Sequence, residues 1–172
     1  MLSRLLETKG VFEYCKAARK VKQKYTDTTF YLAGREEDIN VKDIQEYIDD
    51  NSIVYLGVLN DVIPFLEKST VNVLPSYREG FGLVNAEAAA IGRPSITCDT
   101  NGTRDTILDG FSGFLVRVAN VDDIAEKMIY FIENPEQVVI MGQNARKFAE
   151  DNFAVNKINA QIGNVILKHY NH

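Results

Sequence analysis

"VNVLPSYREGFGLVNAEAAAIG", Val71 to Gly92, holds a strand, a loop and a helix in one stretch. Its opening, "VNVLPS", is a short apolar run of the kind buried on both faces in a parallel sheet. Pro75 ends that strand, and "SYREGFG" follows as the loop at its carboxyl end. The alanine-rich run after Gly82 predicts a helix that Gly92 stops, with Pro94 just beyond.

The same alternation extends in both directions. "MLSRLL", "TTFYLAG" and "SIVYLG" are strand-like, and "SITC" and "FLVRV" follow the helix as further strands. Between them lie helical patterns: "GVFEYCKAARKVKQKY", with Val11, Cys15, Ala18 and Val21 on one face, then "VKDIQEYIDD" and "NDVIPFLEKS". "TRDTILDG" predicts a short helix capped by Thr103, and three helical segments close the chain, the last from Ala154 to Tyr170. Strands alternating with helices through short connections define a parallel sheet covered on both faces by right-handed crossovers. The expectation is an α/β, Rossmann-like, three-layer α/β/α domain with a six-stranded parallel sheet spanning 1–172. Because "MLSRLLETKG" starts inside a strand, the domain is expected to be a fragment whose first half is absent.

Composition narrows the function. At 172 residues, 45% apolar and 25% charged, the chain suits one ordinary globular domain. A net charge of -5 argues against a general nucleic-acid binder. Cys15 and Cys98 have no metal-type spacing and are expected to be reduced packing residues of a cytoplasmic protein. The two histidines are His169 and His172, so no histidine stands elsewhere as a base or zinc ligand. No apolar run approaches the roughly 20 residues that span a bilayer. The first loop, "LLETKGV", lacks both a dinucleotide glycine fingerprint and a P-loop.

In sheets of this kind ligands bind at the carboxyl ends of the strands. The helix beginning near Gly82 offers free N–H groups, at Leu83 and Val84 among others, as an anion site. Gly80 and Gly82 let backbone approach a ligand closely. Glu87 lies about 7.5 Å down the helix axis, and helical side chains lean back towards the N-terminus. Glu79 flanks the helix mouth from the loop. Carboxylates repel phosphates but accept hydrogen bonds from vicinal diols. A diphosphate flanked by two diols is a nucleotide sugar, with ribose at one end and hexose at the other. Arg4 and Lys9 are the cations available for the phosphates. Each residue also has a blander role open to it. The two glutamates could be solvated or capping residues, Lys9 a surface lysine, and Arg4 the partner of an acid at the sheet edge.

The stretch from Pro75 to Val116 resembles the signature of the retaining GT-B glycosyltransferases, the "group 1" family. The matching residues are Ser76, Glu79-Gly80-Phe81-Gly82, Glu87-Ala88, Gly92-Arg93-Pro94, Gly102, Asp109-Gly110, Gly113 and Leu115-Val116. "SRLLETKG" resembles the family's first loop, in which Arg and Lys bind donor phosphates. The resemblance implies the C-terminal, donor-binding half of a GT-B fold. Glu79 would bind donor-sugar hydroxyls beside the N–H groups of Gly80, Phe81 and Gly82, and Glu87 would hold the ribose. Arg4 and Lys9 would stabilise the diphosphate leaving group, without metal or cofactor.

The donor would be a UDP-, GDP- or ADP-sugar. The acceptor, a glycan or lipid-linked sugar in polysaccharide or capsule synthesis, would reach the site through the missing N-terminal domain. Any peripheral membrane association would come from that half, and residues 152–172 would form a helix packing towards it. The fragment alone is expected to be inactive. Where the family commonly has Gly-Gly-x-x-Glu, this chain has Asn101-Gly102-Thr103-Arg104-Asp105, and the shorter acid would alter contacts to the donor sugar. A GT-B epimerase or phosphorylase relative and a non-catalytic nucleotide-sugar-binding module are the alternative readings.

Overall fold

The computed structural model describes residues 1–170. Five short strands alternate with helices: β1 (Tyr31–Leu32), β2 (Val54–Tyr55), β3 (Asn72–Leu74), β4 (Ser95–Cys98) and β5 (Gly113–Val116). The helices are α1 (Val11–Lys22), α2 (Gln45–Asp49), α3 (Ile63–Lys68), α4 (Leu83–Ala90), α5 (Val121–Glu133), α6 (Pro135–Asn152) and α7 (Val155–Tyr170). Every ladder is parallel: β1 pairs with β2, and β3 with β4 and β4 with β5. The predicted parallel α/β architecture is the observed one.

The sheet itself is divided. The β1–β2 and β3–β4–β5 ladders are separate, and "MLSRLL" joins the first only through the parallel bridges Leu2–Ala33 and Leu5–Glu36. A six-stranded hydrogen-bonded sheet is therefore not complete among the described residues.

Apolar side chains leave the sheet on two faces and build separate cores. On one face Leu32, Ile53, Val73 and Ile96 meet Val11, Tyr14 and Val21 of α1 and Ile124, Met128 and Phe131 of α5. A second cluster joins Leu2, Ala33, Leu66 and Ala88, with Phe65, Val84 and Ile91 packed against it. The alanines of α4 explain its place. Ala89 packs with Ala145 and Ala149, so small residues bring α4 close to α6. Burial of each large apolar side chain contributes about 1.5–3 kcal/mol, which makes these two faces the main stabilising term.

Two local expectations need correction. "VKDIQEYIDD" starts as a 3-10 turn over Val41–Ile44, and its α-helical part, α2, is short. "TRDTILDG" yields only a 3-10 turn, Arg104–Thr106, and Thr103 does not cap it. Its hydroxyl donates instead to the Cys98 carbonyl at 2.6 Å, holding the loop onto the end of β4. On α7, Ile162, Val165 and Ile166 are exposed. The end of the chain, including His172, lies outside the described residues.

Candidate functional site

The carboxyl ends of β3 and β4 and the loop leading into α1 converge at the start of α4. The Thr8 carbonyl accepts from the Tyr77 amide at 2.8 Å and from Ser76 Oγ at 3.1 Å, which ties the first loop to the loop after β3. That link explains a contact between residues 70 positions apart: Lys9 Nζ donates to Glu79 Oε1 at 2.7 Å. The two side chains are only 13% and 16% exposed, so this ion pair is far more sheltered than the surface pairs elsewhere on the chain.

The loop after β4 supports the same corner. Gly102 has φ +86°, and a Cβ there would stand 2.4 Å from the Glu79 carbonyl oxygen and 2.8 Å from that of Gly80. Only a glycine lets the two loops touch in this way. Gly82 caps α4 at φ +65°, and the amides of Leu83 and Val84 are the unpaired donors of the first turn. A buried chain of polar side chains fixes that turn. Asn72 Nδ2 donates to Asn85 Oδ1 at 2.9 Å, and Asn85 Nδ2 donates to Thr106 Oγ1 at 3.1 Å. Thr106 Oγ1 in turn donates to the Thr103 carbonyl at 2.6 Å.

Glu87 is half-buried on α4, with no ion pair or hydrogen bond to its carboxylate among the described residues. Desolvation raises its carboxyl pKa above the usual carboxylate range. The folded state thus holds this proton more tightly than the unfolded chain. Ionised Glu87 costs stability at neutral pH, and the cost falls away as pH drops through the raised pKa. Glu87→Gln is therefore expected to raise Tm at pH 7. Thermal melts at pH 7 and pH 4.5 check this, with the gain confined to the higher pH.

Two predicted residues are engaged elsewhere. Arg4 donates to both oxygens of Glu37, at 3.1 and 3.0 Å, and is 56% exposed. Hydrogen bonds from Arg35 and from Arg4 hold the Glu37 carboxyl below its usual range. The pairing with an acid left open in the sequence is the one observed. Phe81 is 41% exposed and packs edge-on against Phe153 with 5.1 Å between ring centroids, so its side chain anchors the loop to the end of α6. Leu83 is exposed at the helix start. Asp105 is also exposed, while Arg104 pairs with Asp99.

The residues that the sequence did not single out are Thr8, Tyr77, Asn72 and Asn85. Asn85 carried a usable signal, since it is a second polar residue in an otherwise apolar helix. Among the described residues there is no group of acids, cysteines and histidines placed to hold a metal, and no helix long and apolar enough to cross a membrane.

The parallel Rossmann-like domain thus brings Lys9 and Glu79 to the glycine-capped start of the helix that carries Glu87, and comparison with known proteins gives the family. The profile described as "Glycosyl transferases group 1" matches residues 1–148, and the chain belongs to that family. It is 30% identical over 156 residues to the capsular polysaccharide biosynthesis glycosyltransferase CapM of Staphylococcus aureus, covering 89% of this chain and 41% of that protein.

Among solved structures, it is similar to S. aureus TarM in complex with fondaparinux, α-GlcNAc-glycerol and UDP. The TM-score is 0.85 at 27% identity, covering 95% of this chain and 34% of that one. It is similar also to Anabaena HepE in complex with UDP-glucose, with TM-score 0.86 at 25% identity, covering 97% and 47%. The fold is thus the Rossmann-like fold of the GT-B glycosyltransferases. The chain spans about two fifths of the length of the curated relatives it matches.

Proposed function

We propose that this chain is the donor-binding domain of a glycosyltransferase that moves a hexose from a nucleoside diphosphate sugar to an acceptor with retention of configuration, in polysaccharide or glycoconjugate synthesis. The observation that carries the reading is the sheltered Lys9–Glu79 pair at the open N-terminus of α4, with the unpartnered Glu87 further along the same helix. The ligands in the TarM and HepE structures, UDP and UDP-glucose, support a nucleotide-sugar donor, and CapM supports a capsular or similar product.

Donor binding is an exchange of partners. The diphosphate takes Lys9 and the amides of Leu83 and Val84, and Glu79 is released to accept hydrogen bonds from sugar hydroxyls. Arg4 reaches the phosphates by leaving Glu37, a small loss because an exposed ion pair is worth about 0–1 kcal/mol. Glu87 accepts from the ribose diol, which gives its half-buried carboxylate the partner it lacks. As the bond between the anomeric carbon and the phosphate oxygen breaks, charge grows on that oxygen beside Lys9 and the helix start, where fixed donors stabilise it. The acceptor hydroxyl attacks from a second domain that adjoins this one, and its proton leaves with the nucleoside diphosphate. The whole enzyme is assigned to the cytoplasm.

Titration with UDP, GDP and ADP by calorimetry tests the reading. At least one should bind, and Glu87→Ala should weaken it about 10-fold, since a hydrogen bond to a charged group contributes about 1.5–3 kcal/mol. Absence of binding by all three, or equal binding by Glu87→Ala, contradicts the reading. The isolated chain is expected to transfer no sugar from donor to acceptor, which a product assay checks.

A further inference from the structure

α6 crosses the end of α4 at close range. A Cβ on Gly142 would stand 2.3 Å from the Gly92 carbonyl oxygen, so glycine is what permits the approach. Val139, Gln143, Arg146, Lys147 and Glu150 recur at helical spacing and share one face of α6. Together with Ile91 and Arg93 from the turn after α4 they line a cavity of about 490 Å³. Small-molecule sites span roughly 300–1,000 Å³. None of the residues proposed to bind the donor lines this cavity. It lies at the far end of α4 from Leu83, with roughly 10 Å of helix between them.

Two arginines give the cavity its chemistry. A guanidinium carries five N–H donors and keeps its charge throughout the physiological range. Arg93 Nη2 donates to the Glu67 carbonyl at 2.5 Å, and its buried Nε has no partner. Arg93 pairs with no carboxylate among the described residues, so its charge stands uncompensated. Arg146 Nη1 donates to the Ala90 carbonyl, and its Nε donates to Glu150 at 2.5 Å. A backbone carbonyl thus orients each guanidinium while cancelling none of its charge. Arg93 Nη1 and Arg146 Nη2 make no hydrogen bond among the described residues and keep their donors. Lys147 adds a third cation, held by an exposed pair with Asp151 that water screens. Much of the remaining lining is apolar, from Ile91, Val138 and Val139.

We propose that this cavity binds a small phosphate monoester. Arg93, Arg146 and Lys147 hold the phosphate, and the organic group lies against Val138 and Val139. Two oriented guanidinia and a flexible ammonium suit a dianion with three terminal oxygens better than a carboxylate with two. The ester is a soluble one rather than a lipid headgroup, because a net charge of -5 repels an anionic bilayer. The site stands independently of the proposed function.

Amide-resolved NMR titration of the 172-residue chain with butyl phosphate tests it. The amides of Gly92, Arg93, Gln143 and Arg146 should shift together at millimolar ligand. Inorganic phosphate should bind at least about 3-fold more weakly, because it leaves the valines uncovered. Arg93→Gln and Arg146→Gln should each weaken butyl phosphate at least about 10-fold. Lys147→Gln should weaken it about 3-fold, and at an exposed position it decides the matter if an arginine variant does not fold. No shift around Gly92, the same shifts from sodium chloride at equal ionic strength, or unchanged affinity in Lys147→Gln overturns the proposal. So do shifts confined to Leu83 and Val84, which would put the phosphate at the start of α4. Equal affinity for inorganic phosphate, or binding to phosphatidate vesicles without binding to butyl phosphate, overturns it as well.

Discussion

Lys9→Ala is expected to weaken UDP binding by roughly 10- to 100-fold, the largest loss from any single side chain on this domain. A charged hydrogen bond contributes about 1.5–3 kcal/mol, and each 1.4 kcal/mol is a factor of ten in affinity. The same change leaves Glu79, only 16% exposed, without its cation, so Tm should fall as well. Those two effects separate in a double-mutant cycle. Removing Glu79 together with Lys9 should restore much of the lost Tm, because no unpaired carboxylate remains. It should not restore UDP binding, because the phosphate partner is still gone. Calorimetry and thermal melts on the two single variants and the double variant give both readouts. Recovery of binding in the double variant would mean that Lys9 serves only to neutralise Glu79.

Gly102→Ala is expected to cost about 2–6 kcal/mol of stability. A residue other than glycine at φ +86° costs about 1–3 kcal/mol, and crowding a packed corner costs a similar amount. Here the atoms in the way are the Glu79 and Gly80 carbonyl oxygens, which are backbone and cannot rotate aside. The loop carrying Glu79 must therefore move, and UDP affinity should fall with Tm. Gly80→Ala provides the contrast. A Cβ at Gly80 meets nothing within 4 Å, so Tm should hold to within about 2 °C. With the donor placed against this loop as proposed, the added methyl group would crowd it, so UDP binding should weaken without loss of stability. A Gly102→Ala chain with unchanged Tm would remove the loop contact from the description of the site.

The sequence made the layered α/β architecture legible because strand and helix periods differ and the punctuation at Gly82, Gly92 and Pro94 is strong. The helix start and its two flanking acids were legible for the same reason. Pairing of distant residues was not. The sequence gives no signal that the Thr8 carbonyl receives Tyr77 and Ser76, and that link is what sets Lys9 beside Glu79. Arg4 could be assigned to phosphate or to a nearby acid, and the choice of Glu37 depends on where Arg35 and the end of β1 come to lie. Thr103 had the residue type of a cap, but the Cys98 carbonyl offered its hydroxyl a closer partner. The division of the sheet was equally hidden, because "MLSRLL" has strand composition whether or not it gains a second neighbour.

The most direct measurement is an amide-resolved NMR titration of the 15N-labelled chain with UDP. The largest shifts are expected at Gly80 to Val84, at Lys9 and at Glu87, saturating together with one dissociation constant, and in Lys9→Ala they should need roughly 10- to 100-fold more UDP to saturate. No shifts at millimolar UDP, or shifts centred on Thr29 to Tyr31 and Val73 instead of the α4 start, would contradict a donor site at that helix mouth.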